Sequence, residues 1–221
     1  AAGERTRAPS SWAVEVDAAR RATPPAWREW RASARAPIHP LRLCAALEPY
    51  VADGAVLVCD GGEFGQWAQA ALEPRERLIN GLSGSIGSAL PMAIGARLAC
   101  ADRLVLAVMG DGTFGFHALE LDTAVRAGVP VVVVVGNDAR WNAEHTLQVK
   151  QFGADRAVGC ELLPTRYDRL AEALGAHGEH VERPGDLESA LARAVASGRP
   201  ACVNVMIEGV AAPTLGASGA H

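Results

Sequence analysis

Three apolar runs in this sequence each stop at a tip of small and polar residues. Ala55–Cys59 ends at Asp60-Gly61-Gly62-Glu63, Leu104–Met109 at Gly110-Asp111-Gly112-Thr113, and Val131–Val135 at Gly136-Asn137-Asp138-Ala139. Between the first two lies Gly81-Leu82-Ser83-Gly84-Ser85-Ile86-Gly87. The glycines around Asp111 allow a sharp turn and let a bulky anion approach the backbone. A helix starting there would aim its free N–H groups and positive dipole end at that anion. A carboxylate in the same place repels a phosphate unless a cation sits between them. Asp111 beside a phosphate therefore implies Mg²⁺, which takes oxygen ligands in near-octahedral geometry. The amide oxygen of Asn137 and the backbone carbonyl of Ala139 lie one crossover away and complete a ligand set with Asp111. Asp138 is the competing ligand, and the spacing favours Asn137. Either tip alone is an ordinary turn; a diphosphate–Mg²⁺ anchor is read from their conjunction.

The elements that must position these tips follow from hydrophobic spacing. Leu43, Ala46, Leu47, Tyr50 and Val51 fall on one face of a helix. Helices are also predicted over 63–72, 85–99, 114–127 and 142–151, and around Leu170 and Leu191. The apolar runs at 55–59, 104–109, 131–135 and 201–207 read as strands, and the five consecutive valines at 131–135 suit a strand buried on both faces. Strands alternating with helices over short loops give an α/β fold, a doubly wound parallel sheet with helices on both faces. Such sheets bind ligands at the carboxyl ends of their strands. Residues 1–36, rich in proline and arginine with Trp12, Trp27 and Trp30, read as a lead-in or linker with a short helix near 25–34. The folded core is expected over 37–208, and 209–221 as a flexible tail.

With these tips in place, GDGTFGFHALELDTAVRAGVPVVVVVGNDARW resembles the thiamine-diphosphate signature, a GDG followed after roughly twenty-five residues by Asn. GLSGSIGSALPMAIGA resembles the segment of that family that meets the pyrimidine end of the cofactor. The resemblance spans about 37–208 and is to the C-terminal, diphosphate-binding domain of acetolactate synthase-like enzymes, with benzaldehyde lyase and 2-hydroxyacyl-CoA lyase close by. It implies thiamine diphosphate and Mg²⁺ as cofactors, with Asp111, Asn137 and the Ala139 carbonyl as metal ligands. Gly110, Gly112 and Thr113 would bind the diphosphate. Gly84 and Ser85 would meet the aminopyrimidine, the Gly84 carbonyl accepting from its 4′-amino group. Ile86, a stiff β-branched wedge, would hold the cofactor bent. Trp141 resembles an aromatic of the lyase and carboligase branch, or else packs the core. Glu144 and His145 are candidates for proton transfer or a solvated face. His117 and Glu120 suit structural hydrogen bonds, Glu63 and Gln66 are weaker candidates, and Phe114 and Phe116 suit the core.

The implied activity makes or breaks C–C bonds next to a carbonyl, by decarboxylation or carboligation of a 2-oxo acid. A 2-hydroxy ketone or acyl-CoA lyase, or a non-catalytic cofactor-binding homologue, is the alternative. The family's activating glutamate belongs to a second, pyrimidine-binding domain. Glu15, Glu29 and Glu48 lack the strand–loop context for that role, so the chain is expected to carry half of an active site. It is read as a fragment or separate subunit of a homo-oligomer, a dimer or tetramer. The resemblance leaves FAD or a CoA ester open, since those sites lie mainly on a middle domain.

Composition narrows the remaining classes. The 221 residues carry a net charge of −4, with 49% hydrophobic and 21% charged residues. Disorder and nucleic-acid binding are disfavoured. No apolar run approaches the ~20 residues of a membrane span. The five cysteines are scattered without a C-x-x-C pair, which suits a reducing, cytoplasmic setting.

Overall fold

The computed structural model describes residues 10–21, 23–81 and 83–213. The first part of the lead-in, Leu82 and the tail beyond 213 lie outside the described residues. Six strands, β1 (Val56–Cys59), β2 (Arg77–Ile79), β3 (Val105–Gly110), β4 (Val132–Asn137), β5 (His177–Val181) and β6 (Ala201–Met206), form one sheet in the order β2-β1-β3-β4-β6-β5. Every pairing is parallel.

The pleat divides the strand side chains between two cores. Leu57, Cys59, Leu106, Val108, Val132, Val134, Val203 and Val205 face one way, against α3 (Pro40–Ala52), α4 (Gly62–Ala71) and α10 (Leu187–Ala196). Val56, Val58, Val105, Ala107, Val133, Val135 and Cys202 face the other, against α5 (Ala89–Ala99), α6 (Asp111–His117), α7 (Glu120–Arg126) and α9 (Tyr167–Ala173). Both faces are covered, so β1, β3 and β4 need apolar residues at every position rather than at alternate ones. The expected doubly wound α/β architecture is the observed one.

The departures have local causes. β2 and β5 were not read as strands: β2 has three residues and β5 is His-Gly-Glu-His-Val. Both are sheet edges, where short and polar strands are the norm. The helix predicted from residue 85 begins at Ala89, because Gly87 takes a φ of +89°. The helix predicted over 114–127 begins at Asp111 and is broken between α6 and α7. In the lead-in, α1 (Ser11–Arg21) precedes α2 (Pro25–Arg31). Trp27 packs on Trp67 at 5.8 Å between ring centres, and Trp30 stacks on His39 at 4.8 Å. Residues 209–212, expected as the start of a loose tail, are held at α4: the Val210 carbonyl accepts from Trp67 Nε1 at 3.2 Å, and Ala212 is buried. No described helix is long and apolar enough to cross a membrane.

Candidate functional site

Gly110 pairs with Gly136 across β3 and β4, so Asp111 and Asn137 leave the sheet side by side. Asn137 is still a strand residue. The pleat sends its side chain to the face of Val133 and Val135, where Asn204 of β6 points the same way. Its Nδ2 donates to the Thr165 carbonyl at 3.0 Å and to Asn204 Oδ1 at 3.1 Å, and its Oδ1 accepts from the Ala139 N–H at 3.1 Å. The expected ligand is thus tied behind the tip and does not line the cavity at Asp111. Ala139, at a φ of +53°, is placed similarly: its carbonyl accepts from Leu162 N–H at 2.8 Å.

Asp138 is the residue that reaches Asp111. Both line one cavity, near enough for each acid to influence the protonation of the other. Asp111 also accepts from Arg140 N–H at 3.2 Å. Burial raises the affinity of both acids for a proton, and for Asp138 the neighbouring Asp111 raises it further. A buried carboxylate and a part-buried one on the same cavity call for a proton or a cation.

Asp60, at the end of β1, performs a different task. It is fully buried. Its Oδ1 accepts from Gly61 N–H at 2.7 Å and Gly87 N–H at 2.9 Å, and its Oδ2 accepts from Ala89 N–H at 2.9 Å. These bonds fix Ile86 beside Gly61, so closely that a Cβ on Gly61 would sit 2.7 Å from Ile86 Cγ2. Ile86 lines a cavity with Gly62, Gly110, Asp111, Gly112, Thr113, Asp138 and Trp141. The Trp141 ring covers Gly112, where a Cβ would come within 2.7 Å of it, and meets Phe116 edge-on at 5.7 Å. Phe114 is buried against Tyr167, whose hydroxyl donates to the Asp111 carbonyl at 3.3 Å.

The structure therefore gathers Ile86, Gly110, Asp111, Gly112, Thr113 and Trp141 around one cavity, and leaves Gly84, Ser85, Asn137 and Ala139 outside its lining. Gly84 and Ser85 are exposed on the loop before Ile86. Thr113 already donates its hydroxyl to the Gly110 carbonyl at 3.0 Å. Glu63 and Glu144 line the cavity, whereas His145 does not. His117 bonds the Gly87 carbonyl at 2.8 Å, the structural role expected of it. Sequence reasoning missed the clamp formed by Asp60. It also passed over Arg140, which lines the cavity too. The signal for Asp60 was present, since Asp60-Gly61-Gly62 closes β1 much as the tip at Asp111 closes β3.

The profile of the family described as "Thiamine pyrophosphate enzyme, C-terminal TPP binding domain" matches residues 60–205. A "Probable acetolactate synthase" of Mycobacterium bovis is 42% identical over 178 residues, covering 79% of this chain and 32% of that protein. The "2-hydroxyacyl-CoA lyase 2" of Homo sapiens is 34% identical over 206 residues, covering 89% of this chain and 32% of that protein. A solved thiamine diphosphate-dependent 4-hydroxybenzoylformate decarboxylase of Rhodococcus jostii RHA1 superposes with a TM-score of 0.73 at 25% identity, covering 80% of this chain and 34% of that one. The chain spans about a third of the length of the curated relatives it matches.

Proposed function

The chain belongs to the thiamine pyrophosphate enzymes, as their C-terminal cofactor-binding domain, and from that premise we propose that it anchors thiamine diphosphate through Mg²⁺ in an enzyme that makes or breaks C–C bonds next to a carbonyl. The observation that carries the site assignment is the placement of Asp111 and Asp138 on one cavity at neighbouring strand tips. Hard carboxylate oxygens are the donors Mg²⁺ prefers, and the ion would relieve the repulsion that burial imposes on the pair. Asp111 and Asp138 are the proposed metal ligands, in place of Asn137 and Ala139. Gly62 and Gly112 supply backbone that a polyphosphate can approach closely.

When bound, the cofactor supplies an electron sink for the bond that breaks. The residues of this chain bind and orient. Ile86, held through the bonds of Asp60 to Gly87 and Ala89, presents a stiff apolar wall to the cavity that the metal ligands line. Trp141 shields Gly112 from water. The acid–base group that starts the reaction is proposed to come from a complementary pyrimidine-binding domain, in an oligomer whose sites combine two such parts. Any FAD site belongs to that remainder, as the resemblance implies.

The proposed substrates are 2-oxo acids, as in acetolactate synthase-like enzymes, with 2-hydroxyacyl-CoA lyase chemistry as the alternative the relatives also support. A cytoplasmic location, in keeping with five unpaired cysteines, completes the proposal. Calorimetry tests its core: the chain, with and without its complementary domain, takes up thiamine diphosphate only when Mg²⁺ is present, and Asp111→Ala abolishes the uptake. Binding indifferent to both Mg²⁺ and Asp111 refutes the assignment.

A further inference from the structure

Among the described residues, two buried side-chain nitrogens have no hydrogen-bond partner: Nε of Arg140 and Nδ2 of Asn142. Both residues line the cavity at Asp111. A buried donor without an acceptor is a substantial cost to a fold, and native structures keep few of them. Two in one cavity mark the place of an acceptor that arrives with a ligand.

The surroundings define that acceptor. Asn142 is only 7% exposed and is the first residue of α8 (Asn142–Phe152), so its amide lies where the free N–H groups of an 11-residue helix open. Trp141 stands between the two donors, and its ring over Gly112 fixes the loop that carries them. The cavity holds four carboxylates, those of Glu63, Asp111, Asp138 and Glu144, against the single guanidinium of Arg140. A free anion is repelled by that set, whereas an anion arriving with a divalent cation is not. The acceptor that fits is an oxyanion bridged to the metal.

We propose that the side chains of Arg140 and Asn142 donate to the metal-bound diphosphate and set the affinity of this domain for that group. The inference rests on the cofactor reading above and adds two specificity-determining side chains to it.

Inorganic pyrophosphate isolates this contact from the rest of the cofactor. In calorimetry on the 221-residue chain, MgCl₂ is titrated first, then pyrophosphate at saturating Mg²⁺. Asn142→Ala and Arg140→Ala should each weaken pyrophosphate binding roughly tenfold or more, as for loss of a hydrogen bond to a charged oxygen. Asn142→Asp, which replaces the donor with a charge of the wrong sign, should remove measurable binding. Asn142→Ser keeps a donor and should recover part of the loss. Affinity for Mg²⁺ alone should stay within about twofold in Asn142→Ala, which changes no charge, and should hold or rise in Arg140→Ala, which removes a cation beside Asp138. Wild-type pyrophosphate affinity in both alanine variants overturns the inference. So does a parallel fall in affinity for Mg²⁺ alone, which marks a damaged fold rather than a lost contact. A wild-type chain that binds Mg²⁺ but not pyrophosphate also overturns it, with the metal site left standing. A chain that binds neither overturns the cofactor reading as well.

Discussion

Asn137 and Asp138 are adjacent in sequence and differ in what the pleat does with them. Asn137 is the last residue of β4 and turns into the sheet's buried face, where it ties Ala139, Thr165 and Asn204 together. Asp138 is the first residue beyond the strand and meets Asp111. The two should therefore fail differently when changed. Asp138→Ala should lower Mg²⁺ affinity at least tenfold, roughly the loss of one of two carboxylate ligands. It should leave the urea midpoint of the metal-free protein unchanged or raised, because two acids crowded at one tip no longer oppose each other. Asn137→Ala should instead lower stability by about 1–3 kcal/mol, through the partners left unpaired in a buried place. Titration calorimetry and urea denaturation on the two variants separate these outcomes, and Asp138→Ala retaining wild-type Mg²⁺ affinity removes Asp138 from the metal site. Asp111 was legible because the glycines beside it announce a tip. The preference for Asn137 over Asp138 weighs residue type and spacing without the period of two. Counting on from Val133 and Val135 sends the Asn137 side chain to the buried face and favours Asp138 for the proposed metal site.

At the scale of elements, the end of β1 organises a loop it does not belong to. Asp60 gathers the N–H groups of Gly61, Gly87 and Ala89, and so sets both where α5 starts and where Ile86 stands. Asp60→Ala leaves three donors without their acceptor. It should cost roughly 2–4 kcal/mol, as expected when a buried charged acceptor is lost, and should weaken thiamine diphosphate binding while leaving Mg²⁺ affinity near wild type. Chemical denaturation and calorimetry report the two effects, and retention of wild-type cofactor affinity refutes the positioning role. The junction of β1 and α4 is equally tight. A Cβ on Gly65 would lie 2.0 Å from the Asp60 carbonyl oxygen. Gly65→Ala should therefore shift α4 and lower stability by about 3 kcal/mol or more, read as a fall in denaturation midpoint with an unchanged slope. The central strands were legible from their unbroken apolar runs and the helices from their spacing. The loop over 84–88 was not, since its course is set by a carboxylate about 25 residues earlier.

Across the whole molecule, the ligand crevice opens at the tips of β1, β3 and β4, while the β6–β5 edge is held by a polar cluster. Asp168, at the start of α9, is 3% exposed and accepts from Arg166 Nε at 2.9 Å and Nη2 at 2.6 Å. His180 Nδ1 of β5 lies 3.8 Å from Asp168 Oδ1, the oxygen that also accepts from Arg166 Nε, and Asn204 links His180 to Asn137. Exposed pairs such as Arg126–Asp122 contribute little in water; Asp168 differs because it is out of water. Burial, the largest influence, would raise its pKa, but the Arg166 guanidinium, the His180 ring and a backbone N–H together outweigh it and hold the carboxyl below the usual carboxylate range. A folded-state pKa below the unfolded one gives stability that is fully present above the unfolded value, roughly 3.9. That stability is lost as pH falls through the folded value. Asp168→Asn should thus be less stable than wild type by about 1–3 kcal/mol at pH 7. The difference should hold down to about pH 5 and close below about pH 4, where the wild-type carboxylate takes up its proton. Glu179 is also held low, by Arg193, but it is present in both proteins and cancels from the difference. Paired urea curves from pH 7 down to about pH 3 measure this directly. A gap that stays constant over that range assigns the loss to packing, and the Arg166–Asp168 charge pair then has no part in holding the β5 edge.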